Sequence, residues 1–121
     1  MTQPKKPLIV LLAAPESSAS VLYGLYDVLL SVGSVYSDMV SGSPGAELLD
    51  IKIASADGKP FHCIGNIPVE PHMSADDRAT PDAVVICDMY TSIYDVPKGR
   101  YPREIAWLRK MHRDGALLTS V

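Results

Sequence analysis

Long apolar runs and helical repeats alternate along this chain, separated by short stretches rich in proline, glycine and serine. Residues 8–14 (LIVLLAA) form one uninterrupted apolar run. A strand buried on both faces, as in a parallel sheet covered by helices, reads this way. Pro15 and Glu16 end the run, and Ser17, Ser18 and Ser20 offer N-cap hydroxyls to whatever follows. Val21, Leu25, Val28, Leu29 and Val32 then recur at i, i+4, i+7, i+8 and i+11. That spacing predicts an amphipathic helix buried along those residues, with Gly33 as a left-handed C-cap.

Residues 34–47 carry enough Ser, Gly and Pro to read as a loop. Residues 48–55 alternate as a second strand, less apolar than the first and so nearer the sheet edge. Asp57 and Gly58 signal a turn, and residues 61–64 with 67–70 read as short hairpin strands. Pro60, Pro68 and Pro71 keep these short and peripheral. Residues 71–82 are polar and suggest a helical turn and a loop. Residues 82–88 (DAVVICD) form a further apolar strand between two aspartates.

A loop of Tyr, Pro and Gly spans residues 89–100. Pro102 then opens a helix, where a missing N–H costs nothing. Ile105, Leu108 and Met111 or His112 mark its expected buried stripe, with Trp107 flanking. Arg109, Lys110, His112 and Arg113 sit toward the negative end of its dipole. Asp114 and Gly115 stop it, and residues 116–121 read as another buried strand. Strand, helix, strand, hairpin, strand, helix, strand is the order of an α/β domain: a flavodoxin-like parallel sheet flanked by helices. Residues 1–121 are expected to be the N-terminal part of one such domain, incomplete at its C-terminus. Ligands bind beyond the carboxyl ends of strands in open sheets of this kind, and the loop expected after Val121 would lie there.

Hydrophobic residues make up 47% of the chain and charged ones 21%, which is ordinary globular composition. A net charge of −3 with no Lys/Arg stripe argues against direct nucleic-acid binding by these residues. Lys5 and Lys6 read as a solvated leader. The first apolar run is too short to span a bilayer and lacks secretory-signal chemistry, so no membrane partner and a cytoplasmic location are expected. Cys63 and Cys87 match no metal spacing, so no metal and no cofactor are expected, and both read as reduced core thiols. There is no glycine-rich phosphate loop and no Gly-x-Ser-x-Gly pattern.

The strand at residues 8–14, the helix segment LYGLYDVL at 22–29, the strand at 82–88 and the closing EIAWLR (104–109) with GALLTSV (115–121) together resemble the ThiJ/PfpI superfamily. These domains share the class I glutamine amidotransferase-like fold. The likeness is greatest to the GlxA-like branch, in which such a domain precedes an AraC-type DNA-binding module. The resemblance implies a non-enzymatic ligand-sensing or dimerisation domain of a transcriptional regulator. It would bind a small-molecule effector, form a homo-oligomer, and reach DNA only through a module absent from this chain. The alternative it implies is part of a cysteine hydrolase (amidase, protease-like or glyoxalase-like). In this superfamily a strand like residues 115–121 leads into an elbow that usually carries a cysteine, which would fall near position 122. Some catalytic relatives, such as isocyanide hydratases, carry an acidic residue near the position of Val21, where this chain is apolar.

Three residues stand out for a ligand pocket. Glu16 lies just past the first strand, where a carboxylate could hydrogen-bond an elbow cysteine; ThiJ/PfpI proteins place a glutamate in this region, and the plain reading is a solvated loop residue near a helix N-terminus. Asp88 and Tyr90 follow the strand at 82–88 on the same edge, the plain reading being that Asp88 caps the chain while Tyr90 packs. Cys63 beside His62 suggests a dyad, but adjacent strand residues point to opposite faces. His72 and His112 read as surface residues, and Cys87 as a structural thiol.

Overall fold

The computed structural model describes residues 5–121. Its elements run β1 (Leu8–Leu12), α1 (Ala19–Leu30), α2 (Val35–Ser41), β2 (Asp50–Ser55), β3 (Phe61–Cys63), a 3-10 turn (Ile64–Asn66), β4 (Ile67–Val69), β5 (Met73–Ser74), β6 (Ala83–Ile86), α3 (Pro102–Arg113) and β7 (Leu117–Ser120). Five strands make a parallel sheet in the order β5-β2-β1-β6-β7, and β3 with β4 form a separate antiparallel hairpin. The most apolar strand, β1, is therefore central. Leu8 to Leu12 register with Asp50 to Ala54 on one side, and Ile9 to Leu12 with Ala83 to Ile86 on the other.

Alternation along β1 divides the core between the two faces of the sheet. Leu8, Val10 and Leu12 pack with Ala54, Val84, Trp107, Met111 and Ala116 under α3. Ile9, Leu11 and Ala13 pack with Ile51, Ile53, Cys87 and Leu22 under α1, where Cys63 and Val69 of the hairpin complete the layer. Asp82 pins the lower end of the sheet: its carboxylate accepts the Leu8 N–H at 2.9 Å, and its own N–H donates to Leu8 O.

Several expectations need correction. In α1 the inward face carries Leu22, Leu25, Tyr26 and Leu29, whereas Val28 is 63% exposed. Nearly every face of that helix is apolar, so the valines offered a second periodic set rotated from the true one. Gly33 does adopt a positive φ of 87°, but α1 is capped at Ser31 and Gly33 begins the turn into α2. A Cβ on Gly33 would come within 2.6 Å of Ala46 O, so the turn needs glycine for space as well as for φ. The segment read as a loop thus holds a short helix, with Tyr36, Met39 and Val40 exposed. In the polar segment, Met73 and Ser74 form an edge strand on β2, which makes β2 an inner strand.

In α3 the buried residues are Glu104, Trp107 and Met111; Ile105 lies outward and Trp107 is central. Among the described residues the closing strand β7 pairs with β6 alone at the sheet edge, and Leu117 is 67% exposed, so it is not buried as its composition suggests. No single helix among the described residues is long and apolar enough to cross a membrane. Only α1 and α2 together, bent by 53°, reach that length and composition, and α1 packs on the sheet.

Candidate functional site

The carboxyl ends of β1, β2 and β6 converge beside the first turn of α3. Leaving β1, the chain makes a tight turn: Ser17 N–H donates to Ala14 O at 2.9 Å, and the fully buried Ser17 hydroxyl accepts the Ala14 N–H at 3.1 Å. Ser17 O then accepts the Ile64 N–H, tying the β3–β4 hairpin to this corner. Ser18 is the N-cap of α1, yet its side chain makes no capping bond to the helix. It turns across the edge instead. Asp88 accepts the Ser18 N–H at 3.2 Å and the Ser18 O–H at 2.7 Å through its two oxygens.

Asp88 is thereby fixed as a bridge between β6 and α1. Tyr90 joins the same corner through its backbone, donating to Glu16 O at 2.8 Å, while its ring is 74% exposed rather than packed. The turn closed by Ser17 and the backbone bond from Tyr90 thus hold Glu16 in place. Glu16 Oε2 is buried without a hydrogen-bond partner, and so is the hydroxyl of Tyr101, the N-cap residue of α3. The Tyr101 phenol is pushed above its ordinary value, first by burial and then by the nearby Glu16 charge. An acidic acceptor and a phenol therefore face one another at the end of the central strand.

A cavity of about 210 Å³ opens next to this corner, between the ends of β1 and β2 and the start of α3. Pro15, Pro60 and Phe61 supply apolar wall; Lys59 and Asp57 stand at its exposed side, and Glu104 reaches it from α3. Asp57 also shapes the turn, accepting the Lys59 N–H at 2.9 Å, and Gly58 has the left-handed φ of 72° expected of that pair. Tyr101 and Glu104 were not singled out in the sequence. Glu104 at the third helical position reads there as an ordinary first-turn acid, and only the packing of α3 shows that it is buried.

The remaining reactive groups are structural. Cys87 is 2% exposed and its thiol is pushed up to about 11, by burial first and by Asp88 second. Cys63 is buried and His62 exposed on adjacent hairpin positions, so they diverge as their spacing predicts. Both cysteines are free thiols. His72 has more than a surface role: its Nδ1 accepts the Ile53 N–H at 2.9 Å, and its ring stacks on Tyr26 at 5.7 Å. Among the described residues no group of three or more His, Cys, Asp and Glu side chains is placed to hold a metal.

No family profile matches the chain, and no curated protein does. Solved structures do. An AraC family transcriptional regulator from Pseudomonas putida superposes with a TM-score of 0.64 at 17% identity, over 96% of this chain and 55% of its own. A DJ-1 superfamily protein from Agrobacterium tumefaciens superposes with a TM-score of 0.59 at 18% identity, over 94% of this chain and 52% of its own. A two-domain protein from Anabaena variabilis, with DJ-1/ThiJ/PfpI-like and ferritin-like domains, gives 0.58 at 12% identity, over 95% of this chain and 29% of its own. The chain shares the α/β fold of these structures, and it spans about half the length of the first two.

Proposed function

We propose that this chain is the ligand-sensing and self-associating part of an AraC-family transcriptional regulator, whose DNA-binding module lies outside these residues. The observation that carries this reading is the superposition on the Pseudomonas putida regulator over 96% of the chain. Two features of the chain support it. The carboxyl edge presents a small cavity and two unpartnered polar atoms, which suits reversible binding. Large apolar side chains also stay exposed on α1 and α2 (Val28, Tyr36, Met39 and Val40), more than scattered surface positions require, and association would cover them.

Fusing the chain to a DNA-binding domain that represses only as a dimer tests both parts. Dimer-dependent repression of a reporter, relieved or strengthened by a small molecule, is expected. A chimera that never represses, together with a monomer in sedimentation at high concentration, would overturn the reading.

One observation favours a second reading, part of a cysteine hydrolase. Glu16 Oε2 is buried and unpartnered at the end of the central strand, where a carboxylate could serve a nucleophile supplied from outside these residues. The cysteines present cannot take that role, since Cys87 is buried with its thiol near 11 and Cys63 is buried in the hairpin. Amidase or glyoxalase turnover that appears when the chain is extended, and is lost in Glu16→Gln, would select this reading.

A further inference from the structure

We infer that the chain associates with itself head to tail, helix α2 of one copy docking in the groove between α3 and β7 of the next. The inference rests on the self-association proposed above and names its two surfaces; it is independent of the ligand-sensing role.

The groove lies at the edge of the sheet, where β7 pairs with β6 alone among the described residues. Its volume is about 540 Å³, and its apolar lining is Ile105 and Leu108 of α3 with Leu117 and Leu118 of β7. Leu117 is 67% exposed there and Ile105 45%. Arg109 and His112 line the same groove, and Arg113 follows Arg109 one turn later. Neither arginine has an ion-pair partner among the described residues. An open strand edge beside apolar side chains is a surface that another chain covers. Its basic border says which kind of chain.

The complement is carried by the first half of the same sequence. α2 exposes Tyr36, Met39 and Val40, which share one stripe of the helix at i, i+3 and i+4. Val28 and Val32 continue this apolar surface back along the end of α1. Asp27 and Asp38 are the only charged residues in α1 and α2, and no Lys or Arg occurs from residue 7 to residue 51. An acidic amphipathic helix and a basic apolar groove match as helix-in-groove partners do. Two grooves, or two α2 helices, would instead bring like charges together, so charge selects the mixed contact.

Placement then decides the symmetry. α1 packs in the layer of Leu11, Ile51 and Ile53 on one face of the sheet, whereas α3 packs with Val10 and Val84 on the other, toward the β7 end. Surfaces on opposite sides of a molecule cannot meet reciprocally in a two-fold pair. The contact is therefore heterologous: each dimer keeps one free helix and one free groove, and growth continues with concentration.

Sedimentation of the 121-residue chain tests this. The average mass should rise with concentration past that of a dimer, and association should weaken several-fold between about 0.05 M and about 0.5 M salt. Met39→Asp on the helix and Leu117→Asp in the groove, both at exposed positions, should each weaken association at least about 10-fold. Mixed together, these two variants should form a one-to-one dimer that grows no further, since one supplies an intact groove and the other an intact helix. Thermal melts followed by circular dichroism establish that each variant folds, and Tyr36→Asp with Ile105→Asp repeats the pair if either does not.

Unchanged association in either variant, or a mixture that stays monomeric while the wild type associates, would overturn this contact and leave self-association to another surface. A wild-type chain that is monomeric at every concentration would overturn both. The expected one-to-one mixture, alongside a reporter chimera that no small molecule affects, would keep the contact and remove only the sensing role.

Discussion

The bridge from Asp88 to Ser18 is the connection most open to a quantitative test. Asp88→Ala removes an acceptor for two donors, the Ser18 N–H at 3.2 Å and the Ser18 O–H at 2.7 Å. Hydrogen bonds to a charged group contribute about 1.5–3 kcal/mol each in mutational series, and neighbouring ones do not add. Both residues are partly exposed, so water recovers part of the loss. The expected destabilisation is therefore about 2 kcal/mol. At about 4 °C per kcal/mol for a chain of this size, the melting temperature should fall by roughly 8 °C. Asp88→Asn keeps one acceptor oxygen and should cost less than about 1 kcal/mol.

Ser18→Ala, which removes only the hydroxyl, should cost about 1 kcal/mol. The double variant should show a coupling of at least about 0.5 kcal/mol. Urea denaturation of the four proteins supplies the cycle, and amide exchange at Leu22, whose N–H donates to Ser18 O, reports whether the first turn of α1 frays. Wild-type stability in Asp88→Ala would refute the bridge. So would a coupling of zero, because the two side chains would then act independently.

Two further outcomes follow from buried groups. The raised Cys87 thiol keeps its proton in the folded chain after the unfolded chain has lost it; this leaves stability intact below about pH 9 and lowers it as pH rises toward about 11, by on the order of 2–3 kcal/mol in all. Cys87→Ala should reduce the alkaline slope in pH-dependent urea midpoints, leaving the part due to the raised Tyr23 and Tyr101 phenols, and an unchanged slope would place its origin elsewhere. Trp107 is 4% exposed and its indole N–H has no hydrogen-bond partner. Trp107→Phe should therefore cost less than about 1 kcal/mol despite the smaller ring, whereas Trp107→Ala should cost about 3–5 kcal/mol. A large loss in Trp107→Phe would show that the N–H is satisfied after all.

The parts of the fold legible in the sequence are those whose burial is set by a continuous run or a single clear period. β1 and β6 are of this kind, since both faces of each strand are covered and no choice of register was needed. α3 was legible in extent, because Pro102 and Gly115 bracket it, and in part of its inward face, since Met111 is buried and Leu108 packs on the core as expected. Counting apolar residues favoured Ile105, whereas the face that meets the sheet carries Glu104. In α1, Leu25 and Leu29 face inward as expected, but Val21 and Leu22 are equally apolar, and only packing in the layer of Leu11 and Ile53 selects Leu22. β5 is two residues long and exists through backbone pairing to β2, which leaves almost no pattern to read. The apolar composition of β7 predicted burial, but among the described residues it pairs with β6 alone.

The same reasoning explains why the site was half visible. Glu16, Asp88 and Tyr90 were found because they follow strands, and position after a strand is a topological property. What each does there depends on local hydrogen bonding. Asp88 is consumed by Ser18, Tyr90 contributes its backbone, and the Ser17 hydroxyl closes the turn after β1. These bonds use the local donors to fix the frame. They leave Glu16 Oε2 and the Tyr101 hydroxyl beside one another at the end of β1. An edge that carries Glu16, Glu104 and Asp57 favours a complement that brings N–H or O–H groups to it. A purely anionic complement would meet like charge at both glutamates, so the electrostatics of the corner select against that class.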